Sequence, residues 1–353
     1  MDLNNFILFF FLIGFSFFFY NYFLRSLYKR NPKFLVDNQF SKPQAFHESE
    51  TSIAGGLGIF VSLIIVICNF LLFKNIFFFE YLSICTLFFA LGFVDDARIN
   101  IKPTIRLVLM IIFLIFLMKF NNFYIDNTGI SVLNKWLENS ELFSLIFICL
   151  CFLFVINGAN LIDGYNGLLG IHSLIILINL FFINYFSKNY ELANLLLFGI
   201  FILIIFLKFN FPKAKIFLGD GGSYLLGTFL AISTIKTSIL NPEISPFYFC
   251  ILLFYLFFEV FFSFLRKLIK ERKSPIYPDN KHLHMLVYKM LFKKNNDKLK
   301  SNYNVSIIIN LIYLILIMPA IFMMDNGLFC KYYSVLFFII YIFSYKKIYE
   351  KAR

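Results

Sequence analysis

The sequence predicts an all-α fold, a polytopic transmembrane bundle of about 10–11 membrane-spanning helices. Composition is the first observation behind this prediction: 60% of the 353 residues are apolar and only 15% are charged, against roughly 45–50% and about 25% in soluble domains. The second observation is that apolar stretches of the ~20 residues needed to cross a bilayer recur along the chain. A water-soluble globular protein is therefore excluded.

The apolar stretches define the predicted elements in order. The first, from about Phe6 to Leu27, is too long for a signal-peptide core and has no small-residue cleavage site, so we expect a retained anchor. The segment 121–140, with Trp136, is expected to form a short interfacial structure. The six cysteines include no CxxC pair, which argues against a disulfide framework or a zinc site. The predicted spans are residues 5–24, 53–73, 77–94, 105–120, 141–157, 165–186, 191–207, 216–235, 246–265, 305–324 and 329–345.

The basic residues predict the orientation of these spans. Alternate connections carry 26 of the 32 Lys and Arg residues, and Lys and Arg accumulate in cytoplasmic loops. We therefore expect the N-terminus outside and the C-terminus in the cytoplasm. The net charge of +12 is explained by topology, so no nucleic-acid partner is expected. Residues 1–353 are predicted to form a single integral-membrane domain, because the longest cytoplasmic segment, 266–304, is too short for a second one.

The polar clusters all fall on the predicted cytoplasmic side. The orientation rests on Lys and Arg alone, so the position of the polar clusters is independent evidence. It predicts a functional site on the cytoplasmic face. The clusters are HESETSIAGG (47–56), GFVDDARINIKPTIR (92–106), NGANLIDGYNGL (157–168), KIFLGDGGS (215–223) and SPIYPDNKHLHML (274–286).

The acidic residues of these clusters suit a charged site. The neighbouring carboxylates of Asp95 and Asp96 need a cation or hydrogen-bond donors to stay ionised in a low-dielectric pocket. Asp220 lies among glycines at a helix start, where the backbone can approach a ligand closely and anions are favoured. Asn157, Asn160 and Asp163 recur every third residue, which places them on one helix face.

The other ligand types complete a phosphoryl-transfer set. Asn and Asp oxygens suit Mg²⁺, which binds through one or two protein oxygens together with substrate phosphates. Lys281, His282 and His284 lie in a basic loop suited to a diphosphate. Pro275 and Pro278 disfavour a helix there, so we expect an extended or turn segment with both imidazoles on one side.

Each cluster also has a structural interpretation. The Asp pair could be a solvated helix end, NxxNxxDG a helix cap and turn, and GDGGS a turn with an N-cap. The histidines could be surface residues, and basic loops often serve topology and lipid headgroups. All of these clusters occur together, in a fixed order and on one face of the membrane, and this favours the functional interpretation.

The order GG…DD…NxxNxxDGxxGL…FxGDxGS…HLH resembles the polyprenyl-phosphate N-acetylhexosamine-1-phosphate transferase family (MraY/WecA-like, glycosyltransferase family 4). The resemblance covers about residues 40–290. It implies a Mg²⁺-dependent enzyme, with Mn²⁺ as the alternative ion, in the bacterial inner membrane. Undecaprenyl phosphate would attack the β-phosphorus of a UDP-sugar on the cytoplasmic leaflet, giving polyprenyl-diphospho-sugar and UMP.

The resemblance also implies roles for individual residues. Asp220 matches the magnesium ligand, and Asn160 is expected to assist it. Asp95 and Asp96 match the acid pair near the lipid phosphate, and Asp163 is expected to act with them as a catalytic residue lining the nucleotide pocket. The predicted nucleotide-sugar-binding residues are Asn157, Asn166, Lys281, His282 and His284.

Three departures from the family pattern matter, and the last two bear on the donor. A third acid is absent after the Asp pair, where this chain has Ile99 and Asn100. The branch that uses the muramoyl-pentapeptide donor has consecutive histidines and usually an Asp in place of Asn166. This chain therefore favours a smaller donor, a UDP-N-acetylhexosamine such as UDP-N-acetylglucosamine, and the initiation of a surface glycan such as the O-antigen of lipopolysaccharide.

The alternatives differ in chemistry and in class. Phospho-N-acetylmuramoyl-pentapeptide transfer in peptidoglycan synthesis is the nearest. A secondary transporter would place ionisable residues at mid-membrane. Here the spans are nearly free of charge, with Glu259 as the clearest exception, and the polar groups cluster at one face. The signatures of CDP-alcohol phosphotransferases and lipid phosphatases are absent, and a catalytically silent family member is conceivable because the third acid is missing. Membrane lipids are expected partners, and a homodimer is left open.

Overall fold

The computed structural model describes residues 3–23, 35–37, 51–99, 101–121, 123–272, 274 and 279–352. Nearly all of this is helical, which confirms the all-α prediction. Two-residue strands β1 (Val36–Asp37) and β2 (Thr51–Ser52) pair antiparallel. The helices are α1 (Leu3–Phe18), α2 (Gly55–Lys74), α3 (Phe79–Asp96), α4 (Pro103–Phe120), α5 (Ser131–Asn139), α6 (Glu141–Ile162), α7 (Leu168–Phe186), α8 (Tyr190–Asn210), α9 (Gly219–Leu240), α10 (Pro246–Leu252), α11 (Phe254–Leu265), α12 (Leu283–Asn295), α13 (Lys298–Phe322) and α14 (Gly327–Ala352), with π-helical turns at Phe19–Phe23 and Arg266–Glu271.

The described residues contain eight helices that are long and apolar enough to cross a bilayer: α2, α4, α6, α7, α8, α9, α13 and α14. A ninth span results if α10 and α11 with its π-helical turn, which meet at a bend of 74°, are taken together. The two other predicted spans coincide with α1, which has 16 residues, and α3, which carries three carboxylates. The polytopic membrane bundle is confirmed, and the count of about 10–11 spans stays a prediction.

Helix α9 lies at the centre of the bundle. In its most apolar stretch 72% of the residues are buried, whereas the corresponding value for α4 and α14 is 22%. Its many Gly, Ser and Thr residues let neighbouring backbones approach closely. At Gly92 of α3, for example, a Cβ atom would collide with the carbonyl oxygen of Asp220. The end of α3 and the start of α9 are thereby held together.

A short backbone network also ties the start of α2 to the start of α9. Ser52 bridges to Ile216, and the N–H groups of Gly55 and Gly56 donate to the carbonyl oxygens of Phe217 and Leu218. The glycines of the HESETSIAGG cluster therefore lie beside the GDGGS cluster, although residues 47–50 of that segment lie outside the described residues.

The segment between α4 and α6 forms the predicted short structure. It contains the nine-residue helix α5, which presents Trp136 with 54% of its surface exposed. The indole ring packs edge-on against Phe143 at 5.5 Å. An exposed aromatic residue beside a spanning helix is typical of a membrane interface.

Candidate active site

Asp220 lies where the ends of four helices meet. Its Oδ1 accepts a hydrogen bond from the Asn160 amide nitrogen at 2.8 Å, and its Oδ2 accepts one from Arg106 Nη1 at 3.3 Å. The same amide nitrogen lies 2.9 Å from Ser223 Oγ. The structure thus joins the GDGGS and NGANLIDG clusters, as the sequence predicts. Asn160 turns its amide nitrogen, a donor, toward Asp220. It therefore orients this carboxylate through a hydrogen bond.

Asp95 faces the same point through an arginine that sequence reasoning missed. Arg106 Nη1 donates to Asp95 Oδ2 as well as to Asp220, and its guanidinium lies 5.8 Å from the centre of the Tyr224 ring. Arg106 lies in the first turn of α4. Its position eleven residues after Asp95, at the start of an apolar helix, is the signal that could have identified it.

Asp96 is held by the backbone at the start of α9. Its two oxygens accept hydrogen bonds from the backbone N–H groups of Asp220 at 2.8 Å and Gly221 at 2.9 Å, and the residue is 8% exposed. Gly219, which has φ of +80°, makes the turn that presents these groups. Both carboxylate oxygens are therefore used to cap α9. In this structure Asp96 positions Asp220, and the catalytic role expected of it from the sequence stays a prediction.

Asp163 ends α6 beside these carboxylates. Burial raises its pKa well above the usual range, and the neighbouring charges of Asp220 and Asp96 raise it further. Four carboxyl groups, those of Asp95, Asp96, Asp163 and Asp220, therefore crowd one end of the bundle, with Arg106 as a cation in contact with two of them. Such a group is suited to bind an additional cation.

The oxygen donors fit Mg²⁺ better than a metal that needs a full protein cage. Within the described residues, no three His, Cys, Asp or Glu side chains are close enough to hold one ion between them. Mg²⁺ does not require this, because it keeps water and substrate phosphate oxygens as ligands and takes one or two carboxylates from the protein. Asp220, with 39% of its side chain exposed, is more accessible than Asp95, at 18%.

Two of the predicted nucleotide-binding residues make contacts that hold the fold. The Asn166 amide nitrogen donates to the Pro212 carbonyl oxygen at 2.9 Å, and its backbone N–H donates to Asn302 Oδ1 at 2.8 Å. Asn166 is 7% exposed, and its hydrogen bonds hold the turn that starts α7. Its nucleotide-binding role stays a prediction. Asn157 is partly buried and donates to Leu153 of its own helix at 2.7 Å.

The HLH loop forms a second cluster, in which the two imidazoles lie on one side as expected. His282 directly precedes α12 and has an extended backbone, as predicted, whereas His284 lies within the first turn of the helix, so the expected extended segment is wrong for His284. Their rings stack at 5.6 Å, and both are buried, at 2% and 0% exposure. Burial lowers the pKa of His284 to about 3, so this ring is neutral at physiological pH. Lys281 pairs with Glu271 at 2.9 Å. Pro275 and Pro278, on which the extended prediction rested, lie outside the described residues.

Comparisons with known proteins agree with this arrangement. The sequence model of glycosyl transferase family 4 matches residues 78–238, which include the Asp95, Asn160 and Asp220 clusters and Arg106. The chain is 34% identical over 143 residues, 39% of its own length and 41% of the relative, to the undecaprenyl-phosphate alpha-N-acetylglucosaminyl 1-phosphate transferase of Thermotoga maritima. It is 33% identical over 205 residues, 56% of its length and 61% of the relative, to the phospho-N-acetylmuramoyl-pentapeptide-transferase of Dictyoglomus turgidum.

The matched parts cover less than two thirds of these relatives. A shorter match, 39% identical over 101 residues, covers 29% of the chain and 32% of the phospho-N-acetylmuramoyl-pentapeptide-transferase of Leuconostoc mesenteroides. The family model spans the motifs whose side chains meet at Asp220, in a bundle of membrane-spanning helices. Residues 78–238 thus match glycosyl transferase family 4, and the chain is similar to transferases of the MraY/WecA-like kind.

Proposed function

We propose that this protein transfers an N-acetylhexosamine 1-phosphate from a UDP-sugar to a polyprenyl phosphate, with undecaprenyl phosphate as the acceptor. The observation that carries this proposal is the convergence of Asp95, Arg106, Asn160 and Asp220 at one end of an apolar bundle. Anionic and cationic groups at the mouth of a membrane protein suit a reaction between a water-soluble diphosphate and a lipid phosphate.

The reaction balances with the groups in this site. An oxygen of the acceptor phosphate attacks the β-phosphorus of the UDP-sugar, and the bond between that phosphorus and the bridging oxygen breaks. UMP leaves with the bridging oxygen, and the lipid diphosphate carries the sugar. Asp95, which is partly exposed and reaches Arg106, takes or holds the proton of the acceptor phosphate. Arg106 orients the acceptor oxygens through its planar fork of N–H donors.

Mg²⁺, with Mn²⁺ as the alternative, is the cofactor that we propose. Asp220 would hold it, with Asn160 keeping the carboxylate in place and Asp163 adjacent. When bound, the ion would offset the charge of the donor diphosphate. The chain's own part is to fix Asp220 through Asp96 and the α9 backbone, so that the carboxylate needs no rearrangement.

The site end of the bundle is proposed to face the cytoplasm of a bacterial inner membrane. The distribution of Lys and Arg supports this orientation, with the N-terminus outside and the C-terminal Lys346 and Lys347 inside. UDP-sugars are made in the cytoplasm, so a site on that face can reach them directly. The product would start a surface glycan such as O-antigen.

The identity of the UDP-sugar donor is the most specific part of the proposal. The relatives' names divide between N-acetylglucosaminyl 1-phosphate transfer and phospho-N-acetylmuramoyl-pentapeptide transfer. The Dictyoglomus turgidum relative, of the second kind, matches over 56% of the chain, against 39% for the Thermotoga maritima relative. This is the observation that favours muramoyl-pentapeptide transfer as the second candidate. The interrupted histidine motif His282-Leu283-His284 and Asn166 favour the smaller donor.

A donor panel tests the proposed function. The purified full-length protein is incubated with undecaprenyl phosphate, Mg²⁺ and equal concentrations of several UDP-N-acetylhexosamines or UDP-muramoyl-pentapeptide, and UMP release is measured. We expect turnover with an N-acetylhexosamine donor that exceeds turnover with the muramoyl donor. Preference for the muramoyl donor would replace the first candidate by the second, and no UMP release from any donor would refute both.

Arg106→Gln is expected to lower kcat/KM for the lipid acceptor by about 10- to 100-fold, because a hydrogen bond to a charged group is lost. Arg106→Lys should recover part of this loss, since it restores the charge without the planar fork. Steady-state kinetics with the acceptor varied at saturating donor would measure it. The matched control is Lys102→Gln, an exposed cation one turn earlier. Equal kinetics of the Arg106 and Lys102 variants would exclude an acceptor role for Arg106.

A further inference from the structure

Glu259 is a buried carboxylate in α11 that the proposed chemistry does not use. It is 1% exposed, and an ionisable residue in a spanning helix is costly and usually functional. Its Oε1 accepts hydrogen bonds from His282 Nδ1 at 3.1 Å and the Leu283 backbone N–H at 3.0 Å, and its Oε2 accepts one from the Tyr341 hydroxyl at 2.6 Å. Glu259 therefore joins α11, the start of α12 and α14.

The second ring nitrogen of His282 is also held. Nε2 lies 3.2 Å from Asp279 Oδ1, and Asp279 Oδ2 accepts a hydrogen bond from Arg266 Nη2 at 2.7 Å. Burial alone would raise the pKa of Asp279, but the neighbouring His282 and Arg266 outweigh it and lower that pKa. The imidazole is thus fixed between two carboxylates, in both its position and its plane.

Two tyrosines of the C-terminal helix α14, one helical turn apart, donate hydrogen bonds to the residues around His282. Tyr341 reaches Glu259, and the Tyr345 hydroxyl donates to the backbone carbonyl oxygen of Lys281 at 2.9 Å. The Tyr341 ring packs against Phe258 and Phe262, with centroids 4.8 Å and 5.3 Å apart. Both hydroxyls therefore act on the residues immediately around His282, from a helix beyond the segment that the family model matches.

The held loop lies next to the candidate active site. The His284 ring packs edge-on against Tyr165 at 5.7 Å, two residues after Asp163. Helices α6 and α11 are also in direct contact, since the rings of Phe154 and Phe257 lie 5.0 Å apart. A shift of the loop would therefore change the wall of the site beside Asp163.

We propose that Tyr341 and Glu259 are positioning residues that hold His282 and the start of α12 where the nucleotide-sugar donor binds. The inference rests on the proposed function, because the donor is assigned there. Packing alone does not account for a buried charged network, since apolar residues of similar volume often stabilise a protein as well or better. The lipid acceptor is assigned to Asp95 and Arg106, so a displaced loop should affect the donor selectively.

Tyr341→Phe in the full-length protein tests the proposal. We expect the donor KM to rise by about 10- to 100-fold, as small misplacements near a site can cause, while the acceptor KM stays within about twofold of wild type. Hydrogen exchange of the amides in residues 279–288 should become faster. Tyr332→Phe is the matched control, because Tyr332 lies on the same helix with 71% of its surface exposed and should behave as wild type.

Two further variants separate positioning from stability. Glu259→Gln should reproduce both effects, and His282→Ala should raise the donor KM at least as much. If wild-type protein releases no UMP from any donor, the proposed function has failed, and faster exchange in Tyr341→Phe would still support the held loop. Wild-type exchange together with a wild-type donor KM in Tyr341→Phe overturns the positioning role. An equal rise in donor and acceptor KM also overturns it.

Discussion

Asp220→Asn is expected to lower kcat by about 10³-fold or more, while the protein stays folded and inserted in the membrane. Several kcal/mol of transition-state stabilisation is the usual contribution of a catalytic metal ion, and removing the ligand's charge should remove most of it. The side chain is nearly isosteric, and an Asn oxygen can still accept the hydrogen bond from Asn160. The loss should therefore appear in turnover rather than in folding.

UMP release and thermal unfolding in detergent provide the two measurements for this variant. A third measurement is Mn²⁺ binding in the absence of substrates, detected by electron paramagnetic resonance. We expect Asp220→Asn to bind Mn²⁺ more weakly than wild type. Glu191→Gln is a suitable control, because Glu191 is also an acid in the first turn of a spanning helix but is exposed on α8. Wild-type turnover of Asp220→Asn in Mg²⁺ would show that Asp220 is not a metal ligand.

The meeting of the polar clusters at Asp220 could be predicted, because successive spans cross the membrane in alternating directions. Spans that cross a bilayer in turn place every second connection on the same side, so the Asp95, Asn160 and Asp220 clusters had to share a face. The hydrogen bonds between Asn160, Arg106 and Asp220 confirm that these clusters meet. Which oxygen meets which donor could not be predicted, because that depends on how the helices rotate about their axes.

The errors have physical causes in particular residues. Arg106 was missed because an arginine near a predicted cytoplasmic connection is also a topology signal, and composition does not separate the two roles. His284 was expected in an extended segment because prolines precede it, yet their influence on backbone conformation is local and α12 begins at Leu283. The absent third acid corresponds to Ile99, which is 60% exposed.

Asp95 and Asp96 are adjacent in sequence but meet different partners, and their variants are expected to differ. In Asp96→Asn one carboxylate oxygen becomes an NH₂ group facing the backbone N–H of Asp220 or Gly221. A buried donor that loses its acceptor costs about 1–3 kcal/mol, so the start of α9 should be destabilised. We expect a lower midpoint of thermal unfolding together with reduced turnover, because Asp220 is displaced.

Asp95→Asn is expected to leave thermal unfolding near wild type and to lower kcat by about 10²–10⁴-fold, the usual cost of losing a general base. Asp95 is partly exposed, and its described contacts are with Arg106 and, weakly, with the Ile101 backbone N–H at 3.5 Å. Its loss therefore disturbs the reacting groups more than the fold. Kinetics and thermal unfolding of both variants, measured side by side, would separate the roles. Mild and equal effects in both would mean that the Asp pair is only a solvated helix end, because neither a proton acceptor nor a cap of α9 could be lost without consequence.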